Sequence, residues 1–474
     1  MHITQNISKL YKISVILSIL ITIATVYIST FLNEFCLDEF EHLQVSFNIA
    51  KDQVPYRDFF EHHHGLLWYI GAFLLHPFFN DAIVLYLARI IGLIIFLSLL
   101  FSMYKLCRLF SISRLASLLA PLLYANIRNI QENAINYRPD TLMTLFFMIG
   151  LIYFFKYLSQ KSFHLLFVSF LMFFFSFMSL QKVLAPLVGV FFCIVYLIIR
   201  KQILLKDVLK ALYIPFLLYL SYLTYLYKIG SLQDYWESCW ILNFHLKIVV
   251  SVKSYFIVPV SCLLTIYLIT SKKFSHSIKL YSAIVLCNIA MIVTVFKLYN
   301  PQYEIQPYAL FMVVFAISID EVVKKYKKIA SLMMLLLPIM SLIVFINAYQ
   351  IKKGTILAVN VALNSYIISV SSPSDYIINN FFVGGIRHYA TGYYWFEYFA
   401  TSRIHQHLFP RRSFPELNLI IKARKPKVVL KDATFPNCLN DNYIPTRNCK
   451  VVDKIDPKNF GNQYVDMGFI YVRK

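Results

Sequence analysis

The sequence predicts an all-α polytopic membrane protein with a small C-terminal α/β domain. Hydrophobic residues make up 59% of the 474 residues and charged residues only 15%, whereas a soluble domain has about 25% charged residues. Apolar runs of roughly 15 to 25 residues recur, and a helix of that length spans the hydrocarbon core of a bilayer. Hydropathy then drops near residue 351. The chain therefore divides into a transmembrane module, 1–350, and an α/β domain, 351–474.

The apolar runs predict about eleven membrane-spanning helices. The predicted spans are 13–32, 82–104, 115–130, 141–158, 164–180, 183–199, 211–227, 255–271, 280–296, 306–319 and 329–347. The first run is interpreted as an uncleaved helix rather than a signal peptide, because it is long and no small-residue cleavage site follows it. A shorter apolar run, 66–79, predicts an amphipathic helix on the membrane surface.

The basic residues predict the orientation of these helices. If the N-terminus is cytoplasmic, the inside loops hold 18 Lys and Arg residues and the outside loops before the C-terminal domain hold 9. Cytoplasmic loops are enriched in Lys and Arg. The bias predicts a multi-pass protein, typical of a bacterial inner membrane, with residues 33–81 and 351–474 outside. It also explains the net charge of +21 without a nucleic acid, and we expect no such partner.

Short local patterns predict the α/β character of the C-terminal domain. Ser371 to Asp375 resembles a helix start, with a Ser cap and Pro373 in the first turn. The segments 427–430 and 468–472 are short apolar runs typical of buried strands. Cys438 and Cys449 lie close together in a polar region, so an oxidising compartment would allow a disulfide. Two buried free thiols are the alternative.

The first outside loop concentrates ionisable side chains between two membrane-associated helices. It contains LDEFEH over residues 37–42 and VPYRDFFEHHHGLLWY over residues 54–69. A solvated loop whose acidic residues face the outer side would be enough to explain this composition. The order of the residues favours a site instead.

That order resembles the first loop of the C-type (GT-C) membrane glycosyltransferases. This superfamily includes the protein O-mannosyltransferases and the lipid A aminoarabinose transferase of the bacterial cell envelope, which modifies lipopolysaccharide. Its pattern is a transmembrane helix, Asp-Glu, a surface helix, a Pro-Tyr-x-Asp-Phe step and a His/Pro/Leu turn. Here Asp38-Glu39, Pro55 to Phe59 and His63 to Leu66 stand in those places, and Gly65 replaces a common Pro.

The resemblance implies transfer of a sugar from a polyprenyl-phosphate donor to a hydroxyl or amine of a lipid, glycan or protein acceptor. Asp38 matches the base that would take the acceptor proton. Glu39 would bind the acceptor or tune Asp38, because adjacent carboxylates raise one another's pKa; a solvated neighbour is the equal alternative. The residues leave the sugar, the acceptor and an inverting or retaining course open.

Cations on the outside loops are candidate ligands for the donor phosphate. They are Arg57, Arg138, Lys182 and Lys297. A charge beside apolar helices is costly and is therefore a functional candidate, although such residues can also extend to lipid headgroups. Tyr303 stands near a Tyr-x-x-x-Pro step of the superfamily and is a candidate contact to the donor or acceptor.

His62 and His63 are predicted to hydrogen bond to the donor or acceptor. The run of three histidines beside Glu61 could instead bind a divalent metal, but three consecutive residues of regular structure cannot all point at one ion. We therefore predict no metal and no other cofactor, and keep a divalent ion as the alternative.

Two other classes of membrane protein compete with the enzyme. A transporter or lipid-linked-glycan flippase usually has ionisable groups in mid-membrane and internal repeats. A glycan polymerase usually has its main loop late in the chain. The charges here crowd one outer surface and no repeat is visible, which favours the glycosyltransferase.

Overall fold

The computed structural model describes residues 2–245, 257–296, 304–352, 357–378, 385–392, 407–408, 415, 417–431, 443–445 and 469–473. Within them, eight helices are long and apolar enough to cross a membrane. These are Lys12–Leu32, Val84–Leu109, Pro139–Gln160, Gln181–Ile199, Leu205–Lys228, His276–Thr294, Ile305–Lys325 and Lys327–Asn347. The chain thus has the architecture of an all-α polytopic membrane protein, as the sequence predicts.

The helices in chain order are α1 (His2–Leu32), α2 (Leu37–Ala50), α3 (Leu66–Leu75), α4 (Val84–Leu109), α5 (Arg114–Ala125), α6 (Arg128–Asn133), α7 (Pro139–Gln160), α8 (Phe163–Ser179), α9 (Leu184–Ile199), α10 (Leu205–Lys228), α11 (Leu232–Trp236), α12 (Asn243–His245), α13 (Ile257–Thr270), α14 (His276–Met291), α15 (Ile305–Lys325), α16 (Lys327–Lys352), α17 (Leu357–Val370) and α18 (Leu417–Arg424). One-turn 3₁₀ segments occur at His76–Phe78 and Gln181–Val183, and π-helical segments at Glu237–Leu242 and Ile292–Phe296.

Three of the predicted spans correspond to helices that are shorter than a membrane span. Apolar helices of 10–17 residues occupy the regions predicted as 115–130, 164–180 and 255–271. α5 stops at Ala125, and the side-chain amide of the next residue, Asn126, donates to the carbonyl of Leu122 at 2.8 Å. α8 stops at Ser179, because Leu180 is extended. The predicted count of eleven is therefore not confirmed. The short helix predicted at 66–79 is present as α3 and its 3₁₀ extension.

Two helices form the centre of the bundle. In the most apolar stretch of each helix, 67% of α7 and 61% of α15 are buried, against 17% of α10 at the periphery. The main core joins α4, α5, α7, α8, α9, α14 and α15. A second core lies under α2 and α3, where Phe40, Phe47 and Leu67 pack against Leu85 and Tyr137. This second core fixes the segment that follows α1 on the end of the bundle.

Among its described residues, the C-terminal segment contains a five-stranded sheet of order β2-β1-β3-β5-β4. The strands are β1 (Tyr376–Ile378), β2 (His388–Tyr389), β3 (Val428–Lys431), β4 (Tyr443–Pro445) and β5 (Phe469–Arg473). β1 is parallel to β2 and β3, and β5 is antiparallel to β3 and β4. The strands predicted near 427–430 and 468–472 are confirmed. Cys438 and Cys449 lie outside the described residues.

The helix start predicted at Ser371 is wrong. α17 ends at Val370, and a turn follows that leads into β1. In that turn the backbone N–H of Ser372 donates to the carboxylate of Asp375 at 2.7 Å. The same Ser-to-Asp spacing that can cap a helix closes a turn here. The backbone after this turn is extended rather than helical, because β1 pairs with β2 and β3.

The C-terminal segment docks on the residues that follow α1. The backbone N–H of Phe35 donates to Asn360 Oδ1 at 2.8 Å, and that of Phe60 donates to the carbonyl of Gly392 at 3.0 Å. The side-chain amide of Gln44 donates to the carbonyl of Arg387. These contacts link the C-terminal segment to residues of the segment between α1 and α4.

Candidate functional site

The start of α2 places two adjacent carboxylates in different surroundings. Cys36 is the N-cap, and Glu39 returns to accept from its backbone N–H at 3.0 Å, as in a capping box. Asp38 and Glu39 both lie in the first turn, where a helix N-terminus favours negative charge. Consecutive helical residues point about 100° apart, so the two side chains face different partners.

Glu39 is fully buried and all its acceptor positions are engaged. Arg89 donates to its Oε1 at 2.5 Å and to its Oε2 at 2.6 Å, and the backbone N–H of Tyr137 donates to Oε1 at 2.9 Å. With the bond from Cys36, the carboxylate accepts four hydrogen bonds, close to its capacity. The structure therefore places Glu39 where it ties α2 to α4 and α7, and leaves it no position for an acceptor.

Asp38 belongs to a chain of alternating charges that we call the charged cluster: Asp38, Arg138, Asp140 and Lys182. Arg138 Nη1 lies 2.5 Å from Asp38 Oδ2, and Arg138 Nη2 lies 3.5 Å from Asp140 Oδ2. Lys182 Nζ lies 3.4 Å from Asp140 Oδ1. The cluster joins the ends of α2, α7 and the 3₁₀ turn before α9. It is exposed chiefly at Asp38 and Lys182, whose side chains are 26% and 20% accessible.

The charges within the cluster determine the ionisation of Asp38. Burial alone would raise the pKa of Asp38, but the guanidinium of Arg138, the neighbouring His42 and the hydrogen bond from Arg138 together lower it below its ordinary value of 3.8. Burial likewise acts to lower the pKa of Arg138, and the carboxylates of Asp38 and Asp140 outweigh it and raise the pKa. Both side chains are therefore charged at neutral pH.

Close backbone packing positions Arg138. The residue before it, Tyr137, is fully buried, and its hydroxyl contacts Ser46 Oγ at 3.0 Å and donates to the carbonyl of Leu67 at 3.1 Å. Gly71 makes room for that hydroxyl, since a Cβ at Gly71 would lie 1.8 Å from it. Arg138 itself is extended and is the N-cap of α7, with Pro139 in the first helical position.

The Pro-Tyr-x-Asp-Phe step forms a tight loop after α2. Tyr56 has a positive φ of 71°, which is costly for a non-Gly residue, and its hydroxyl donates to the carbonyl of His63 at 2.8 Å. Asp58 accepts from the backbone N–H of Val54 at 2.8 Å. Arg57 pairs with Asp58 at 2.7 Å and donates to the carbonyl of Ile229 at 2.7 Å. Arg57 thus lies on this loop, apart from the charged cluster.

The loop presents Glu61, His62 and His63 to α2, and turns His64 away. His63 Nδ1 lies 2.8 Å and His62 Nδ1 3.6 Å from Glu61 Oε1. His64 Nδ1 instead donates to the carbonyl of Phe177 at 2.7 Å, and its Nε2 meets the hydroxyl of Tyr235 at 2.9 Å. Burial lowers the pKa of His63 to about 3 and also lowers that of His62. Both imidazoles are therefore neutral.

Two cavities adjoin these groups. A cleft of about 330 Å³ separates the first loop from the C-terminal segment, and its wall includes Glu41, Arg57 and Thr391. A second cavity of about 410 Å³ lies between the end of α1, α6 and α16. Its polar side includes Cys36 and Asn136, and its apolar side is made by Met340 and other residues of α16.

The structure brings together some of the predicted site residues and separates others. Asp38, Arg138 and Lys182 meet in the charged cluster, and His62 and His63 lie beside Glu61. Lys297 and Tyr303 lie outside the described residues. Sequence reasoning gave no role to Arg89, although the lone charged residue of the predicted span 82–104 is a recognisable signal. Asp140 and Glu41 were visible in the sequence, but nothing there showed which cations or histidines they would meet.

No protein-family model and no curated protein matches this chain. The function proposed below is therefore inferred from the geometry of the site.

Proposed function

We propose that the chain is a glycosyltransferase that moves a sugar from a polyprenyl-phosphate donor to an acceptor hydroxyl or amine at the extracytoplasmic face of a bacterial inner membrane. The supporting observation is the charged cluster. Two cations and two carboxylates alternate over contacts of 2.5 to 3.5 Å at the ends of apolar helices. Charges buried at the ends of membrane helices are costly, so their presence marks a functional-site candidate. The cluster supplies a phosphate-binding pair beside a carboxylate base.

Arg138 and Lys182 would bind the donor phosphate. Both now pair with carboxylates, and a phosphate that enters between them would replace part of that pairing with charge-assisted hydrogen bonds. The phosphate of a lipid lies near the ends of the membrane-spanning helices, which is where the cluster lies. The cavity between α1 and α16 has a polar rim at Cys36 and an apolar wall, a combination that suits a phosphorylated isoprenoid.

Asp38 would act as the base. The acceptor oxygen or nitrogen forms a bond to the anomeric carbon, and its proton goes to the Asp38 carboxylate. The bond from that carbon to the phosphate oxygen breaks, and its electron pair leaves with polyprenyl phosphate. The transition state resembles an oxocarbenium ion. Glu39 would act as a positioning residue, because its pairing with Arg89 fixes the turn that carries Asp38.

The proposal is tested by incubating the purified protein with a panel of polyprenyl-phosphate sugars and measuring released polyprenyl phosphate. Binding of labelled polyprenyl phosphate is measured in parallel, so that a missing acceptor does not conceal donor recognition. We expect Arg138→Ala and Lys182→Ala to weaken binding by at least tenfold, since each removes a charge-assisted contact of roughly 1.5–3 kcal/mol. Arg200→Ala, at an exposed arginine that follows α9 and lines neither cavity, is the matched control. Absence of both release and binding would refute the proposal.

A further inference from the structure

We propose that Glu41, Glu61, His62 and His63 form a binding site for one divalent transition-metal ion, with Zn²⁺ as the ion that suits it best. We call these four residues the metal quartet. They lie outside the charged cluster, and the proposal stands whether or not the chain is a glycosyltransferase.

The quartet has the donor atoms and the spacing of a metal site. Each residue offers one ligand atom, and all four atoms lie within 4.8 Å of one another. One pair, His63 Nδ1 and Glu61 Oε1, is 2.8 Å apart. Ligand atoms with bonds of about 2.1 Å to one tetrahedral ion lie about 3.4 Å apart. Side-chain rotations that move the ligand atoms by about an ångström would therefore bring all four into bonding distance of one ion.

The buried carboxylate of Glu61 supplies an independent reason for a cation. Its side chain has no solvent exposure, and Oε1 accepts from the backbone N–H groups of His62 and His63 at 2.8 and 3.2 Å. Its other oxygen, Oε2, has no hydrogen-bond partner among the described residues, and neither has the buried Nδ1 of His62. Unsatisfied buried polar atoms are rare and costly. A metal ion would satisfy both atoms at once.

The local fold explains how consecutive histidines serve one site. His62 and His63 face Glu61, whereas His64 points to α8 and α11 through Phe177 and Tyr235. The three histidines therefore do not compete for one ion. Glu41 comes from α2, one turn after Asp38, so the ligands belong to two separate segments. An ion would join the loop at 61–63 to α2.

The ligand set favours a transition metal over magnesium or calcium. Imidazole suits Zn²⁺, Fe²⁺ and Cu²⁺, whereas Mg²⁺ and Ca²⁺ prefer oxygen ligands alone. Glu41 also lines the cleft between the first loop and the C-terminal segment. A bound ion would thus lie at the wall of that cleft and would keep the loop there against α2.

The test measures metal bound to the full-length protein without reference to catalysis. Protein purified in detergent is stripped with a chelator, equilibrated with Zn²⁺ and desalted, and its metal content is measured by inductively coupled plasma mass spectrometry. We expect close to one ion per chain in the wild type. Glu61→Gln and His63→Gln should retain less than about a tenth of it, because loss of one ligand of four weakens a metal site strongly.

Two matched controls separate loss of ligands from loss of fold. His76→Gln removes an exposed histidine of the 3₁₀ turn after α3, and Asp58→Asn removes a carboxylate of the same loop that pairs with Arg57. Both should keep the ion. Size-exclusion chromatography and the melting temperature in the presence of chelator establish that the quartet variants fold. A wild type without Zn²⁺, or Zn²⁺ retained by folded Glu61→Gln and His63→Gln, would overturn the proposal and leave Glu61 as a buried carboxylate hydrogen-bonded to His63 and to two backbone N–H groups.

Discussion

Asp38→Asn should separate turnover from donor binding. The substitution keeps the shape of the side chain and its hydrogen bond with Arg138, and it removes the basicity and the charge. General-base catalysis contributes roughly 100- to 10,000-fold, so we expect turnover to fall by about that factor. The protein should remain folded, because Asp140 still lies 3.5 Å from the Arg138 guanidinium and keeps that cation paired.

Donor affinity should respond in the opposite direction. A phosphate bound by Arg138 would lie roughly 5 Å from the Asp38 carboxylate, and two negative charges at that distance repel by about 3 kcal/mol at an effective dielectric constant of 20. Asp38 is 26% accessible, so solvent screening reduces the effect. Half of it, about 1.5 kcal/mol, would increase affinity roughly tenfold. Asp38→Asn should therefore bind polyprenyl phosphate as tightly as the wild type or up to about tenfold more tightly.

The pH profile tests the same partnership. In the free protein Arg138 and His42 lower the pKa of Asp38, against the effect of burial. A lowered pKa keeps the carboxylate ionised through neutral pH, and its contribution is lost only as the pH falls through that low value. Once phosphate shares Arg138, the pKa of Asp38 should rise. The acid limb of kcat should therefore lie at higher pH than that of kcat/KM.

These three expectations are tested by measuring steady-state rates, binding isotherms and pH profiles of the wild type and Asp38→Asn. Near-normal transfer by folded Asp38→Asn would show that Asp38 is not the base. A parallel loss of turnover and donor binding would show that Asp38 serves only to hold Arg138. Identical acid limbs for kcat and kcat/KM would show that phosphate does not share Arg138.

Three further predictions concern stability and topology. Glu39→Gln should lower the free energy of unfolding by about 3–5 kcal/mol, because it leaves the buried cation of Arg89 without its partner; thermal unfolding that matches the wild type would contradict this. Gly71→Ala should cost about 1–3 kcal/mol through overlap with the Tyr137 hydroxyl, and Tyr137→Phe should relieve part of that cost in the double variant, as a double-mutant cycle can measure. Cysteines placed at Lys51 and Lys422 should both react with a membrane-impermeant thiol reagent from the extracytoplasmic side, and protection of either would reverse the predicted orientation.

Local sequence patterns predicted the parts of the fold that depend on local properties. The apolar runs predicted the long helices, because burial in lipid requires length and hydrophobicity. The short apolar runs at 427–430 and 468–472 likewise predicted strands. The helix start at Ser371 failed, because a Ser with an Asp nearby also closes a turn, and only the pairing of β1 distinguishes the two.

The sequence predicted which residues belong to the candidate site better than it predicted the contacts between them. The sequence identified Asp38, Arg138 and Lys182, since charges beside apolar helices are conspicuous. It could not assign Glu39, whose partner Arg89 lies on a different helix and enters the site only through packing of α2 on α4. The division of roles among three consecutive histidines also depends on tertiary partners, Phe177 and Tyr235, that no local pattern reveals.

The docking of the C-terminal segment on the first loop bears on the order in which the protein matures. Phe35, Gln44 and Phe60 obtain partners at Asn360, Arg387 and Gly392, more than 300 residues later in the chain. During synthesis, the loop that contains Asp38 would leave the ribosome well before those partners exist. The membrane helices would therefore insert around an unfinished site, and activity would begin only when the last part of the chain has crossed the bilayer. A nascent chain stopped near residue 350 would be inserted and inactive, so completion of translocation would itself act as the switch.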